Sequence, residues 1–150
     1  MNFELKNFDE TTDDLNRMGE EIGGPPMLRI MRDAAMLVTR EAKMLVPVDT
    51  GRLRASITPE VRQAGNSFVG IVGSIVEYAK AVEEGTKPHW PPVGELATWA
   101  RRHGWTEANI RYVIGTRGTR PHPYLVPAVE NNSDAIARLF ARGIEQVIRG

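Results

Sequence analysis

Three histidines, the adjacent glutamates Glu83 and Glu84 and one glycine-rich basic stretch are the residues of this 150-residue chain whose types could do chemistry. His89 and His122 both neighbour prolines, and His103 ends a short helical pattern. None of the three sits at the i, i+4 spacing of a helical metal pair, and no acid-rich metal loop accompanies them, so no metal centre is expected. Glu83 and Glu84 could share acid–base work if their environments split their pKa values. No nucleophile or metal partner lies near them in the sequence, so the pair is read as structural, a carboxylate receiving backbone N–H groups or an arginine. Gly115-Thr-Arg-Gly-Thr-Arg-Pro121 could cradle phosphate, but it lacks the Gly-Lys-Ser/Thr ending that a P-loop sets directly on a helix. It reads either as a mobile arm or as a docking segment, with a protein partner preferred to DNA. A Ser–His–Asp triad forms in space rather than in sequence, but no Gly-x-Ser-x-Gly elbow is present. No catalytic, cofactor or metal residue is therefore assigned, and the chain is read as a non-enzyme with no small-molecule substrate.

The bulk properties set the frame. This length corresponds to one domain by default, and such a chain buries about 68–70% of its unfolded surface, enough to hold a core without a staple. Cysteine is absent, which excludes disulfides and thiolate metal sites and fits a reducing cytosol. No run approaches the ~18 apolar residues of a membrane span, and the acidic opening MNFELKNFDE carries no signal-peptide pattern. The net charge is zero, so the whole chain does not read as a nucleic-acid binder. The zero is uneven. Residues 1–24 hold seven acids against Lys6 and Arg17, whereas residues 101–120 hold five arginines against Glu107. The two stretches are either separate solvated surfaces or partners between neighbouring copies.

Several elements must position these residues. Residues 2–7 alternate as a weak strand, and Leu15, Met18 and Ile22 give residues 9–22 a helical pattern that Gly23-Gly24-Pro25-Pro26 breaks. A second helix is expected over 26–45, with Met27, Ile30, Met31, Ala34, Leu37, Val38, Ala42 and Leu45 as its apolar stripe; its methionines are read as core. Residues 56–63 and 67–74 read as strands joined by Ala64-Gly65-Asn66, the second strand central and the first, with Pro59, at an edge. Tyr78, Ala79 and Val82 support one or two helical turns. Residues 93–104 read as a short helix stopped at Gly104, and 105–113 as another capped by Thr106. The last helix is expected over 124–148, with Pro127 in its first turn and a break allowed at Asn131–Asp134. Runs of helix and strand without βαβ alternation imply an α+β fold: a small antiparallel sheet packed against two long helices, with a helical Trp-containing insertion at 87–120.

Between the second helix and the sheet lies Val46-Pro-Val-Asp-Thr-Gly-Arg-Leu-Arg-Ala-Ser-Ile57. Pro47 disfavours helix at Val46, Asp49 or Thr50 can cap a new turn near Gly51, and the turn presents Arg52 and Arg54 while Leu53 and Ile57 point inward. This motif, Glu77-Tyr-Ala-Lys-Ala-Val-Glu-Glu-Gly-Thr86 and Pro123-Tyr-Leu-Val-Pro-Ala-Val-Glu130 occur in the same order as in the gene-product-ten-like tail-completion or neck proteins of lambdoid phages with long non-contractile tails. The chain resembles that family from about Met27 to its C-terminus, and some members of the family carry a similar Trp-containing insertion.

The resemblance implies a structural virion protein at the head–tail junction, assembled in the host cytoplasm. Copies would form a ring, six-fold like the tail tube, against the adjacent head-connector and tail-tube proteins, with double-stranded DNA passing through the lumen without sequence-specific binding. Within that reading, tail-tube terminator and head-side stopper stay open. The interface is expected to use Asp49, Thr50, Gly51, Arg52 and Arg54 from the hinge and Tyr78, Glu83, Glu84, Gly85 and Thr86 from the second motif, the two lying near each other, with Arg117 and Arg120 from the basic stretch reaching a neighbouring ring. A reading from another class is a small nucleic-acid-binding module that uses residues 101–120, whose affinity would fall steeply with salt.

Overall fold

The computed structural model describes residues 2–6, 24–65 and 67–149. The helix expected over 9–22 lies outside the described residues, as does Asn66 of the expected turn. Five helices and strands lead to the first boundary: β1 (Asn2–Lys6), α1 (Pro25–Leu45), α2 (Arg52–Ser56), β2 (Ile57–Ala64) and β3 (Ser67–Ser74). Then follow α3 (Ala79–Glu84), α4 (Ala97–Arg102), α5 (Glu107–Arg117), α6 (Leu125–Glu130) and α7 (Ser133–Arg149). The fold is α+β. The chain forms two compact units, one of residues 1–76 and 124–150 and one of Glu77–Pro123. The second unit takes in the expected 87–120 insertion and also the Glu77–Thr86 motif.

In the first unit the sheet is antiparallel with order β1-β3-β2. β3 is central, and its buried Phe68, Gly70 and Val72 alternate with half-buried Val69 and Ile71. β2 is an edge, where Pro59 removes no shared ladder donor from a central strand. α1 crosses β2 and β3. Its buried face carries Met31, Ala34, Ala35, Val38 and Ala42, and small residues there let the helix axis approach the sheet closely. Thr39, also buried, satisfies its hydroxyl by donating to the Ala35 carbonyl at 2.7 Å. Met31 is core, as its place in the stripe predicts, but Met36 and Met44 lie outside the stripe and are 61% and 62% exposed.

The C-terminal helix divides where a break was allowed. Asn131 N–H donates to the Pro127 carbonyl at 2.9 Å, and the Asn132 side-chain amide donates to the Ala128 carbonyl at 2.9 Å. These bonds end α6, and α7 restarts with the Ile136 N–H bonded to the Asn132 carbonyl. Asparagine competes with helical backbone bonding through its own amide, which explains two helices in place of one. α7 packs on α1. Gly143 lies so near Ile30 that a Cβ there would come within 2.5 Å of the Ile30 Cγ1.

That close approach sets two effects against each other. Alanine is ordinarily better than glycine in a helix by ~1 kcal/mol, but overpacking a close contact costs about 1–3 kcal/mol. Gly143→Ala is therefore expected to give no stability gain in the native chain and a gain of about 1 kcal/mol over Ile30→Ala alone when both are changed. Urea unfolding of the four chains measures the difference, and an equal gain in both backgrounds would mean that the contact imposes no constraint.

Candidate interface surfaces

The hinge is built by three backbone decisions. Val46 leaves the helix with ψ 131° while its N–H still reaches the Ala42 carbonyl at 2.9 Å. Pro47 then blocks continuation. Gly51, at φ +82°, is the N-cap of α2 and accepts from the Ala55 N–H at 2.9 Å through its carbonyl. No atom lies within 4 Å of a Cβ built there, so glycine is needed for its backbone angle and not for space. The capping expected of Asp49 or Thr50 passes to Gly51; the Thr50 hydroxyl is only 3.5 Å from the Arg52 N–H.

From this bend Leu53 and Ile57 enter the core, at 5% and 0% exposure, while Arg52 and Arg54 stay exposed. The Ser56 hydroxyl donates to the Leu53 carbonyl and also pairs with the Ser74 hydroxyl, each at 2.7 Å. Ser74 Oγ in turn accepts from the Val76 N–H at 3.0 Å. The hinge is thereby pinned to the end of the central strand, and its arginines project from a fixed base.

In the second unit the two glutamates part. Adjacent residues on a helix do not face each other. Glu83 is buried at 3% exposure, whereas Glu84 faces outward and meets Lys80 at 3.8 Å across one turn. Only Glu84 can present a carboxylate to a docking partner from this pair, and shared acid–base work by the two is not built. Tyr78 is 43% exposed.

Gly115–Pro121 is not an arm. Gly115, Thr116 and Arg117 complete α5, and the following residues pair with the second motif. Thr86 and Thr119 exchange both backbone hydrogen bonds at 3.2 Å, and the His122 N–H donates to the Val82 carbonyl at 2.7 Å. The ends of the expected insertion are thus tied by backbone bonds, with Arg117 and Arg120 exposed on either side. Gly85 (φ +70°) and Gly118 (φ +72°) make this possible, because a Cβ at Gly85 would lie 2.9 Å from the Pro121 nitrogen and one at Gly118 would collide with the Thr86 carbonyl oxygen. Gly118, which falls in the stretch expected to be a mobile arm or docking segment, is thus a condition for close pairing.

The rest of the unit is similarly tied. Trp90 lies over Gly115, where a Cβ would be 2.6 Å from its ring. Arg111 Nε donates to the Pro91 carbonyl at 2.8 Å, and Gly94 N–H donates to Glu107 Oε1 at 2.6 Å. The helix expected from residue 93 starts only at Ala97. It ends in a Schellman pattern, Trp105 N–H to the Ala100 carbonyl at 2.8 Å and Gly104 N–H to the Arg101 carbonyl at 3.4 Å. Thr106 caps α5 as expected, accepting from the Asn109 N–H at 3.2 Å. His103 stacks on Trp99 with ring centroids 4.1 Å apart, and His89 Nδ1 lies 3.0 Å from the Lys87 carbonyl. Among the described residues no three His, Cys, Asp or Glu side chains gather as metal ligands, and no helix is long and apolar enough to cross a membrane.

One surface escaped the sequence reading. Met36, Arg40, Lys43, Met44, Arg54 and Ala55 line a shallow groove beside the hinge. Its signal is visible as the i, i+4, i+8 spacing of Met36, Arg40 and Met44, none of which belongs to the apolar stripe of the expected helix.

Gly118→Ala is expected to remove amide-exchange protection at Thr86 and Thr119, since this backbone region costs a side chain about 1–3 kcal/mol and the collision adds to it. Gly94→Ala, at φ +97° with open space around it, should leave those two amides protected. Hydrogen exchange by NMR tests the pair; retained protection in Gly118→Ala would show that the bridge tolerates displacement.

The family described as "Bacteriophage HK97-gp10, putative tail-component" matches residues 9–85. The match contains α1, the hinge, the β2–β3 hairpin and the second motif as far as Gly85, and it stops before the Trp-containing segment and α7. No curated protein and no solved structure matches the chain. With just over half its length in that match, including the whole hinge that orients Arg52 and Arg54, the chain belongs to the HK97-gp10-like family of phage tail components.

Proposed function

We propose that this tail component is a tail-completion or neck protein whose copies close into a ring at the head–tail junction, with DNA passing through the lumen. The observation that carries the reading is the hinge. A left-handed glycine, a helix stop and two buried apolar residues fix the backbone from which two exposed arginines project. Charge carried on a fixed backbone is suited to docking, because little loop freedom remains to be lost on binding.

A closed ring requires two different, complementary patches on each subunit. The hinge, with Asp49, Thr50, Gly51, Arg52 and Arg54, supplies one. The Tyr78–Thr86 stretch supplies the other, with Glu84 as its outward carboxylate. Arg117 and Arg120 reach the neighbouring head-connector or tail-tube ring. The work is positioning and not catalysis, and the virion is where a tail component performs it. The binding of DNA by residues 101–120 as a free module is disfavoured by Arg111, which is committed to the Pro91 carbonyl inside the unit.

Arg52→Glu is expected to prevent ring formation in native mass spectrometry, with the tail-tube protein present as template, while unfolding stability stays within ~0.5 kcal/mol of the native chain, as for most surface changes. Normal rings from the Arg52→Glu chain would refute the hinge contact.

A further inference from the structure

The groove beside the hinge shares Gly51 and Arg54 with the ring contact just described, but its other lining residues are not used there. Its sides carry two exposed methionines, Met36 and Met44, and its rim carries Arg40, Lys43 and Arg54. Buried Thr39 forms part of its floor, with its hydroxyl already committed to the Ala35 carbonyl. No carboxylate is among the described residues that line it. An apolar trough bordered by three cations selects a segment with apolar residues on one side and acids around them, since methionine surfaces adapt to varied apolar shapes and charge complementarity fixes orientation.

This chain contains such a segment. Residues 9–22 hold Asp9, Glu10, Asp13, Asp14, Glu20 and Glu21 against Arg17 alone, with Leu15, Met18 and Ile22 spaced three and four apart. We propose that residues 9–22 of one copy dock in the Met36–Met44 groove of a second copy. The apolar residues would meet the two methionines, and Asp13 and Asp14 would meet Arg40 and Lys43.

Chain geometry selects the second copy over the same one. Ile22 precedes Gly24, at the start of α1, by two residues, which reach about 7 Å when fully extended. Met36 lies about 18 Å along the helix from Gly24, at ~1.5 Å per residue. Ile22 therefore cannot enter its own groove, and all three apolar residues can be seated together only across a contact between copies. Such a contact joins two different patches, so it repeats from copy to copy around a ring or along a filament. The inference rests on the self-assembly proposed above and deepens it by naming the segment that links neighbours.

The absence of cysteine makes the test direct. Two full-length chains are made, one with Leu15→Cys and one with Met44→Cys, mixed with the tail-tube template and treated with a short bismaleimide. The expected product is a linked pair containing one chain of each kind, in excess over the same mixture with Gln63→Cys replacing Met44→Cys. Adding Arg40→Glu and Lys43→Glu to the groove chain should lower its yield about tenfold, the effect of a 1.4 kcal/mol loss. Adding Asp13→Lys and Asp14→Lys to the other chain should restore it. A yield equal to the Gln63→Cys control overturns the proposal. So does a chain carrying both Leu15→Cys and Met44→Cys that links only within itself. Native mass spectrometry of the same samples separates the two ideas: closed rings without the cross-link remove the docked segment alone, and cross-linked open chains of copies remove the closed ring alone.

Discussion

The packing of α1 across β2 and β3 is the interaction on which the first unit depends. Met31, Ala34, Ala35, Val38 and Ala42 on the helix, and Ile57, Phe68 and Val72 on the sheet, are all nearly or wholly removed from water. Each fully buried large aliphatic side chain contributes about 1.5–3 kcal/mol, so this layer outweighs any exposed ion pair, worth ~0–1 kcal/mol. Its geometry has a second effect. With the alanine-rich face turned to the sheet, the opposite face, with Met36, Arg40 and Met44, is turned outward. The hinge that follows must reverse the chain within a few residues to bring Ile57 back under the helix. That requirement explains why a helix-stopping proline and a left-handed glycine lie so close together.

Much of this was legible in the sequence because it follows from short-range rules. Pro47 and Gly51 act on their own neighbours, and helical or alternating periodicity marks α1 and β3 to within a residue of their observed limits. The central place of β3 followed from apolar residues on both of its faces, and the edge place of β2 from Pro59. The second unit was less legible because its architecture depends on contacts between distant residues. Nothing local to Gly118 shows that Thr86 will lie against it, nor does anything local to Gly115 show that Trp90 will cover it. Glycine has two opposite meanings, freedom and close approach, and only the partner decides between them. The same limit hid the separation of Glu83 and Glu84, since burial of one depends on what α3 packs against.

The distribution of charge is the remaining guide to function. Exposed pairs such as Lys80–Glu84 and Glu145–Arg149 lie within single helices and add little to stability. The arginines of the hinge and of the basic stretch, by contrast, are held by backbone that is itself fixed: by Gly51 and the Ser56–Ser74 pair in one case, and by the Thr86–Thr119 bridge in the other. A chain that uses special backbone angles to aim charges outward is investing specificity in its surface.

Zero net charge with strong local segregation also bears on how copies would meet in the assembly proposed above. A chain of uniform sign would repel its own copies, whereas one with separated acidic and basic patches can attract them in particular orientations. Interactions between exposed charges fall off beyond about 8–10 Å at ordinary salt, so such patches guide approach but do not by themselves hold a contact. Holding requires apolar area, and the exposed Met36 and Met44 lie beside the cations of the groove. Under the self-assembly proposed above, the charge that would select a neighbour and the methionines that would keep it belong to one surface, so that apolar side chains left in water would pair only where the surrounding charges match.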